Sequence, residues 1–255
     1  MSDNLKWSIV MPSYDNFTEV YFTVQALRMY HNLKDCEIIV VDNQGNDSLA
    51  NYIKKNGSTV VRYDRYTEIT GVSAAKNRAI DIAKGEFILC IDSHILVKPG
   101  TLDVEIIGDD LYQGPLLHSI GTKYACEWLP QWRARMWGIW APAVSVLPEE
   151  KWEIWAQGAG FFACRRSSWL GFNPGFRGFG GETGYIQEKY RKAGRKVWCH
   201  PKMVWQHLFY NEGRNKIPYP MISADRIKNY LLGFKELGLD TTPIYEHFGE
   251  AAKGL

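Results

Sequence analysis

The first hundred residues alternate between two hydrophobic rhythms. Short, nearly continuous apolar runs occur in "WSIVMPSY", "CEIIVVDN", "STVVRYD" and "EFILCID". Runs of this kind predict strands buried on both faces. Between them, "TEVYFTVQALRMY" places Val20, Val24 and Leu27 at helical spacing. "SLANYIKKNG" predicts a helix closed by Gly57, and "SAAKNRAIDIAKG" a helix with Ser73 as N-cap and Gly85 as its stop. Strands alternating with helices imply a parallel sheet with right-handed crossovers. Ligands of such sheets bind beyond the carboxyl ends of the strands. Pro12-Ser13, Asp42-Asn43 and Asp92-Ser93-His94 all stand at such ends, which predicts one polar rim.

The pattern changes after residue 100. Six of the ten tryptophans fall between Trp128 and Trp155, interrupted by Pro130, Pro142 and Pro148. A glycine- and aromatic-rich stretch follows, up to a helical segment, "TGYIQEKYRKAG". "KVWCHPKMVWQHLF" reads as strand and loop, and "ADRIKNYLLGFKELG" as an amphipathic helix suited to packing or assembly. No internal repeat or low-complexity linker divides the chain.

Composition narrows the class. With 255 residues, 45% of them hydrophobic, the chain can build a full core. A net charge of +2, from 30 basic and 28 acidic residues, neither demands nor excludes nucleic acid. The five cysteines include no C-x-x-C pair, which argues against a disulfide framework or zinc knuckle and for a reducing compartment. Neither a signal peptide nor an apolar run long enough for a membrane span is legible. The expectation is a soluble, cytoplasmic protein.

The candidate chemistry begins in "FILCIDSHILVKPG". If the strand continues, residues i and i+2 share a face, so Asp92 and His94 would converge on one object. The plainer alternative is a solvated aspartate and a packed histidine.

Four segments, in order, carry a family resemblance: "SIVMPSYDN", "IIVVDNQGND", "GVSAAKNRAIDIAKGEFILCIDSH" and "GAGFFACRRSSW…GFGGETGYIQEKYRKAGRKVW…VWQHLF". Together they resemble nucleotide-sugar-dependent glycosyltransferases of the GT-A fold, in the large family-2-like group. The last segment is similar to the C-terminal half of polypeptide N-acetylgalactosaminyltransferases. The likeness covers roughly Lys6 to Phe209. It implies an α/β, Rossmann-like, mostly parallel sheet flanked by helices, with a smaller antiparallel acceptor-side part. It also implies a single domain over 1–255, with a nucleotide-binding half at 6–100, an acceptor and metal half at 101–220, and a C-terminal helix at 221–255.

The resemblance assigns roles as well. Asp92, His94 and His207 would hold a divalent cation; the mixed nitrogen and oxygen set leans toward Mn2+, with Mg2+ or another ion open. The donor would be a UDP-sugar. Pro12, Ser13, Asp42, Lys76, Asn77, Ser93, Gly158, Gly160 and, on a loop with Lys216, Arg214 would bind it. Asp42 could instead cap the next helix, and the others could be ordinary turn chemistry. Asp92 and Glu182 are the candidate catalytic residues. Relatives with W-G-G-E-D use the final aspartate as base, but here the segment is Phe179-Gly180-Gly181-Glu182-Thr183. Threonine cannot do that work near neutral pH, which favours a retaining mechanism; inversion with Glu182 as base is the alternative. The acceptor would be a hydroxyl of a glycan, a protein, a small molecule or a hydroxylated DNA base. The DNA option comes from the basic segments "RRSSW" and "KYRKAGRK". A nucleotidyltransferase fits less well, because no glycine-rich loop follows the first strand. A non-catalytic sugar- or nucleic-acid-binding module is the remaining competitor.

Overall fold

The computed structural model describes residues 5–56, 60–118, 121–207 and 219–255. The early apolar runs become β1 (Trp7–Ser13), β2 (Cys36–Asp42), β3 (Val61–Arg65) and β4 (Phe87–Ile91). They pair in parallel in the spatial order β4-β1-β2-β3. The crossovers are α1 (Phe17–Tyr30), α2 (Asp47–Asn56) and α3 (Val72–Asp81). Every residue of β1 and β2 is buried, and alternation along them separates two cores. Ile9, Met11, Ile38 and Val40 pack with Val20, Val24 and Leu27 of α1 and Leu49 and Ile53 of α2. Val10, Ile39 and Val41 pack on the other side with Ala75, Ala79 and Ile80 of α3. Burying one such aliphatic side chain contributes about 1.5–3 kcal/mol, so both helical layers are strongly held.

β5 (Ile95–Val97) follows β4 across a turn. Beyond it come β6 (Leu111–Gln113), β7 (Leu116–Leu117), β8 (Tyr124–Ala125), β9 (Trp128–Arg133), β10 (Met136–Trp140), β11 (Trp152–Glu153) and β12 (Phe161–Arg165). The chain ends with α4 (Tyr185–Lys192), β13 (Val197–Cys199), β14 (Trp205–His207), α5 (Ser223–Glu236) and α6 (Thr242–Phe248). β12 lies antiparallel beside β4 and extends the main sheet to eight strands, β11-β13-β6-β12-β4-β1-β2-β3. A four-stranded sheet, β5-β14-β7-β8, and the β9–β10 hairpin form the smaller part.

Three details differ from the sequence-based expectation. β4 stops at Ile91, so Asp92 lies past the strand, and Ser93 and His94 form a turn. α3 starts at Val72 after Gly71, placing Ser73 inside the helix as a buried residue, and it ends at Asp81 rather than Gly85. The tail holds two helices instead of one. They bury Ile227, Tyr230, Leu231 and Ile244 against Trp132, Trp137 and Phe248, which roots the hairpin. Gly57 lies outside the described residues. All five cysteines are free. Among the described residues, no helix is long and apolar enough to cross a membrane.

Glu37 breaks the apolar rule inside β2, at 4% exposure. It accepts hydrogen bonds from Ser8 Oγ at 2.7 Å, Lys84 N at 2.6 Å and Arg62 Nη1 at 2.5 Å. Burial pushes its carboxyl up, but these three donors outweigh burial and hold it below 4.5. A carboxylate lowered on folding adds stability above its unfolded pKa and loses it as pH falls through the folded one. Glu37→Gln should therefore destabilise by about 2–3 kcal/mol near neutral pH. The deficit should shrink as the pH drops below 4.5. Urea midpoints of both proteins across that range check this; a deficit independent of pH contradicts it.

Candidate active site

The turn after β4 is pinned on two sides. Asp92 N–H donates to Gly160 O at 2.8 Å, tying it to the start of β12. On the α1 side, Thr23 Oγ1 faces Ser93 O at 2.9 Å and Ile95 O at 3.1 Å, and Asn16 Nδ2 donates to Ser93 Oγ. His94 leads into β5. The antiparallel register of β14 on β5 sets His207 opposite Ile95. The rings of His94 and His207 therefore stand 4.6 Å apart, and His207 Nε2 is 3.7 Å from Asp92 Oδ2. One potential ligand atom from each of Asp92, His94 and His207 lies within 4.8 Å of the other two.

Electrostatics prepare this cluster for a cation. Lys76 is buried in α3; its Nζ donates to Ala159 O at 2.6 Å and pairs with Asp92 Oδ1 at 3.0 Å. Burial pulls the ammonium pKa down, but Asp92, joined by Cys90 and Glu182, raises it and the ammonium stays charged. Burial likewise pushes the Asp92 carboxyl up, while Lys76 and then His207 hold it well below the usual carboxylate range. Burial lowers both imidazoles, His94 below 6.5 and His207 to about 4. Near neutral pH the cluster thus presents one carboxylate and two neutral imidazoles, the protonation state that metal ligation requires. Bonds of about 2.0–2.2 Å place adjacent ligands roughly 3–3.6 Å apart. His207 Nε2 and Asp92 Oδ2 already stand 3.7 Å apart, and a side-chain shift of about 1 Å brings the third ligand to that spacing, so the residues fit a divalent ion.

A cavity of about 300 Å³ opens beside the cluster. Lys76, Asp92, His207 and the segment Gly158-Ala159-Gly160 line one end. Phe179 to Thr183 form one wall, Trp128, Met136 and Trp140 another, and α5 adds Arg226 and Tyr230. Gly160 is needed for its lack of a side chain: a Cβ there would stand 2.7 Å from Asp92 Oδ2. Thr183 Oγ1 accepts from Ala159 N at 3.1 Å, so this threonine latches the glycine segment. Glu182 is 6% exposed; burial pushes its carboxyl up, and its Oε2 has no hydrogen-bond partner among the described residues.

The structure gathers Asp92, His94 and His207 into one cluster, and Lys76, Gly158, Gly160 and Glu182 into the cavity beside it. Other candidates are committed elsewhere. Asp42 receives Gln44 N at 3.0 Å, Gly45 N at 2.9 Å, Tyr63 Oη at 2.8 Å and Asn46 N. Four donors engage the carboxylate, so Asp42 caps the turn before α2, the alternative that the sequence offers for it. Ser13 spends its hydroxyl on Asn16 Oδ1 at 2.7 Å and its carbonyl on Asn43 N at 2.8 Å. Pro12 is buried in β1 against Val41. Asn77 donates to Phe172 O at 2.9 Å and accepts from Phe172 N at 3.0 Å, which makes it a backbone clasp. Lys76 is a partner for Asp92 rather than a free cation at a helix start. The Ser93 hydroxyl is taken by Asn16. Arg214 and Lys216 lie outside the described residues.

Arg226 and Tyr230 were not anticipated. The available signal was the spacing of Arg226, Asn229, Tyr230 and Gly233, a polar stripe at i, i+3, i+4 and i+7 on one helix face. Of the six clustered tryptophans, Trp128 is buried, Trp140 is 38% exposed, and these two line the cavity. The basic segments are largely neutralised: Arg165 pairs with Glu86, Lys189 with Glu236, Arg191 with Glu188 and Lys196 with Glu153.

The sequence matches Glycosyl transferase family 2 over residues 8–168, more than half of the chain, and the protein belongs to that family. It is 38% identical over 93 residues to the poly(ribitol-phosphate) beta-glucosyltransferase of Bacillus spizizenii. That stretch is 35% of this chain and 15% of the relative. The fold resembles GalNAc-T7, solved with UDP, GalNAc and Mn2+, with a TM-score of 0.71 and 17% identity, over 98% of this chain and 55% of that one. It also resembles the mannosyltransferase PcManGT of Pyrobaculum calidifontis, solved with GDP-Man and Mn2+, with a TM-score of 0.58 and 14% identity, over 98% of this chain and 71% of that one. At these identities the likeness is one of fold, and the fold is GT-A. The chain spans about half the length of the GalNAc-T7 chain and a small part of the curated relative.

Removing one partner of a buried ion pair strands the other. Lys76→Met is expected to destabilise the protein by about 3–5 kcal/mol, with Asp92→Asn in the same chain recovering much of the loss. Chemical denaturation of the two variants measures both effects. Additive losses contradict the pairing.

Proposed function

We propose that this protein is a metal-dependent glycosyltransferase that moves a sugar from a UDP-sugar to a hydroxyl acceptor. The observation that carries the proposal is the meeting of Asp92, His94 and His207 at one end of a cavity wide enough for a sugar ring. These three residues would hold the cation, with Mn2+ favoured by the nitrogen and oxygen donor set. When bound, a divalent cation there neutralises the donor diphosphate and the charge that grows on it as the glycosidic bond breaks.

The protein's own residues do the rest. Lys76, itself buried, keeps the half-buried Asp92 ionised. The backbone from Gly158 to Gly160 gives a floor without side chains, on which a sugar can lie close to Asp92. Trp128, Met136 and Trp140 form an apolar rim suited to stacking on an acceptor. A glycan or polyol acceptor suits this rim better than DNA, because four of the seven basic side chains in the two basic segments are paired with carboxylates within the protein. The UDP complex of GalNAc-T7 supports uridine as the base, and the GDP-Man complex of PcManGT makes guanosine its competitor.

Thr183 supports retention of configuration. Its hydroxyl is engaged by Ala159 N, so the acceptor proton would pass to the departing phosphate oxygen during same-face attack. A second reading, inversion with Glu182 as base, is favoured by its raised proton affinity and the open valence of Oε2. The anomeric coupling of the product, read by proton NMR, separates them: an α-link from an α-linked donor supports retention, and a β-link supports inversion.

His207→Ala should weaken Mn2+ binding and lower turnover by about 100-fold or more. UDP should bind more tightly than GDP with Mn2+ present. Calorimetry and donor-hydrolysis assays measure these effects. Near-normal turnover in the variant contradicts the metal assignment, and tighter GDP binding contradicts the uridine assignment.

A further inference from the structure

α5 brings a charged side chain into the cavity. Arg226 is 5% exposed and lines the same space as Glu182. Its position is fixed by contacts between α5 and the Phe179–Glu182 segment. Asn229 Nδ2 donates to Arg177 O at 2.8 Å and Gly180 O at 2.7 Å, and Asn229 Oδ1 accepts from Arg177 N at 2.9 Å. Gly180 and Gly181, at φ of 103° and 95°, allow this approach. A Cβ on Gly180 would stand 2.4 Å from Arg226 Nε, and one on Gly181 2.6 Å from Asn229 Cβ. The two glycines let the wall and the helix touch, and the contact aims Arg226 at the cavity.

The guanidinium is poorly satisfied where it sits. Its protein acceptors are Phe179 O at 3.4 Å, Arg135 O at 3.4 Å and Met221 Sδ at 3.3 Å. The two contacts to oxygen are long, and among the described residues none of the acceptors is a carboxylate. Glu182 Oε2, on the neighbouring wall, has unmet capacity to accept. Buried groups of this kind are costly until a ligand completes them. A donor-only group and an acceptor-only group facing one space match the hydroxyl, which accepts from the first and donates to the second.

We propose that Arg226 and Glu182 form a clamp on hydroxyls of the transferred sugar, so that the site selects a neutral sugar with those hydroxyls free. The clamp rests on the glycosyltransferase reading and names the substrate feature read by α5. The transferred sugar is favoured over the acceptor because both residues are buried, whereas the rim residues Trp140 and Met136 are 38% and 37% exposed. A hydroxyl is favoured over an anion because Glu182 would repel a carboxylate or phosphate placed against Arg226.

The test compares UDP with UDP-glucose, UDP-galactose, UDP-N-acetylglucosamine and UDP-glucuronate by calorimetry, with Mn2+ present throughout. Wild type should bind one neutral UDP-sugar more tightly than UDP. Arg226→Met and Glu182→Gln should keep UDP affinity within about twofold while losing about tenfold or more for that sugar nucleotide. Arg226→Lys should recover part of the loss. Circular dichroism and the thermal midpoint establish folding; if Arg226→Met does not fold, Arg226→Lys and Glu182→Gln carry the same comparison. Equal weakening of UDP and UDP-sugar would put Arg226 on the diphosphate and overturn the clamp. A wild-type preference for UDP-glucuronate that vanishes in the Arg226 variants would make it an anion site, also overturning the clamp. Folded variants with unchanged affinities would show no contact. Failure of wild type to bind UDP overturns the donor assignment instead, and is seen before any variant is made.

Discussion

The ion pair of buried Lys76 with half-buried Asp92 is the interaction on which the site depends. It joins three pieces of the fold that are distant in sequence: α3, the turn after β4, and the glycine segment before β12. A carboxylate so enclosed would take up a proton if it were alone. Lys76 reverses that tendency and leaves Asp92 charged beside two imidazoles that burial keeps neutral. The charge state of the cluster is therefore built into the packing of the protein.

The second constraint is closeness of backbone. Gly160 lets β12 begin against the Asp92 carboxylate, and Gly180 and Gly181 let the cavity wall rest on α5. Each approach would be blocked by a single methyl group. Thr183 joins these two regions by accepting from Ala159 N, which ties the wall to the floor of the cavity. The hairpin rim is rooted by its tryptophans in the third core and by hydrogen bonds such as Trp137 N to Tyr230 Oη at 2.9 Å.

Much of the fold was legible because it is written locally. Continuous apolar runs such as Ile38–Val41 can only be strands covered on both faces, and Val20, Val24 and Leu27 mark the covering helix. The cluster was legible as residue types, but its geometry was not. Asp92 and His94 come together through a tight turn, not through strand alternation, and His207 joins them by the register of β14 on β5. Asp42 read as a ligand contact because its strand end was visible. The four donors that saturate it, including Tyr63 from β3, were not. Arg226 was hidden for the opposite reason: an amphipathic helix accounts for its own sequence, and only tertiary packing reveals that one polar residue faces a cavity.

The central claim is that one carboxylate and two imidazoles of this chain hold a divalent cation at the mouth of the sugar cavity. Pulsed electron paramagnetic resonance of Mn2+ added to the wild-type protein tests it most directly. The account predicts nitrogen couplings from two histidine rings on the bound ion. Binding with oxygen ligands alone, or no specific binding of Mn2+, would contradict it.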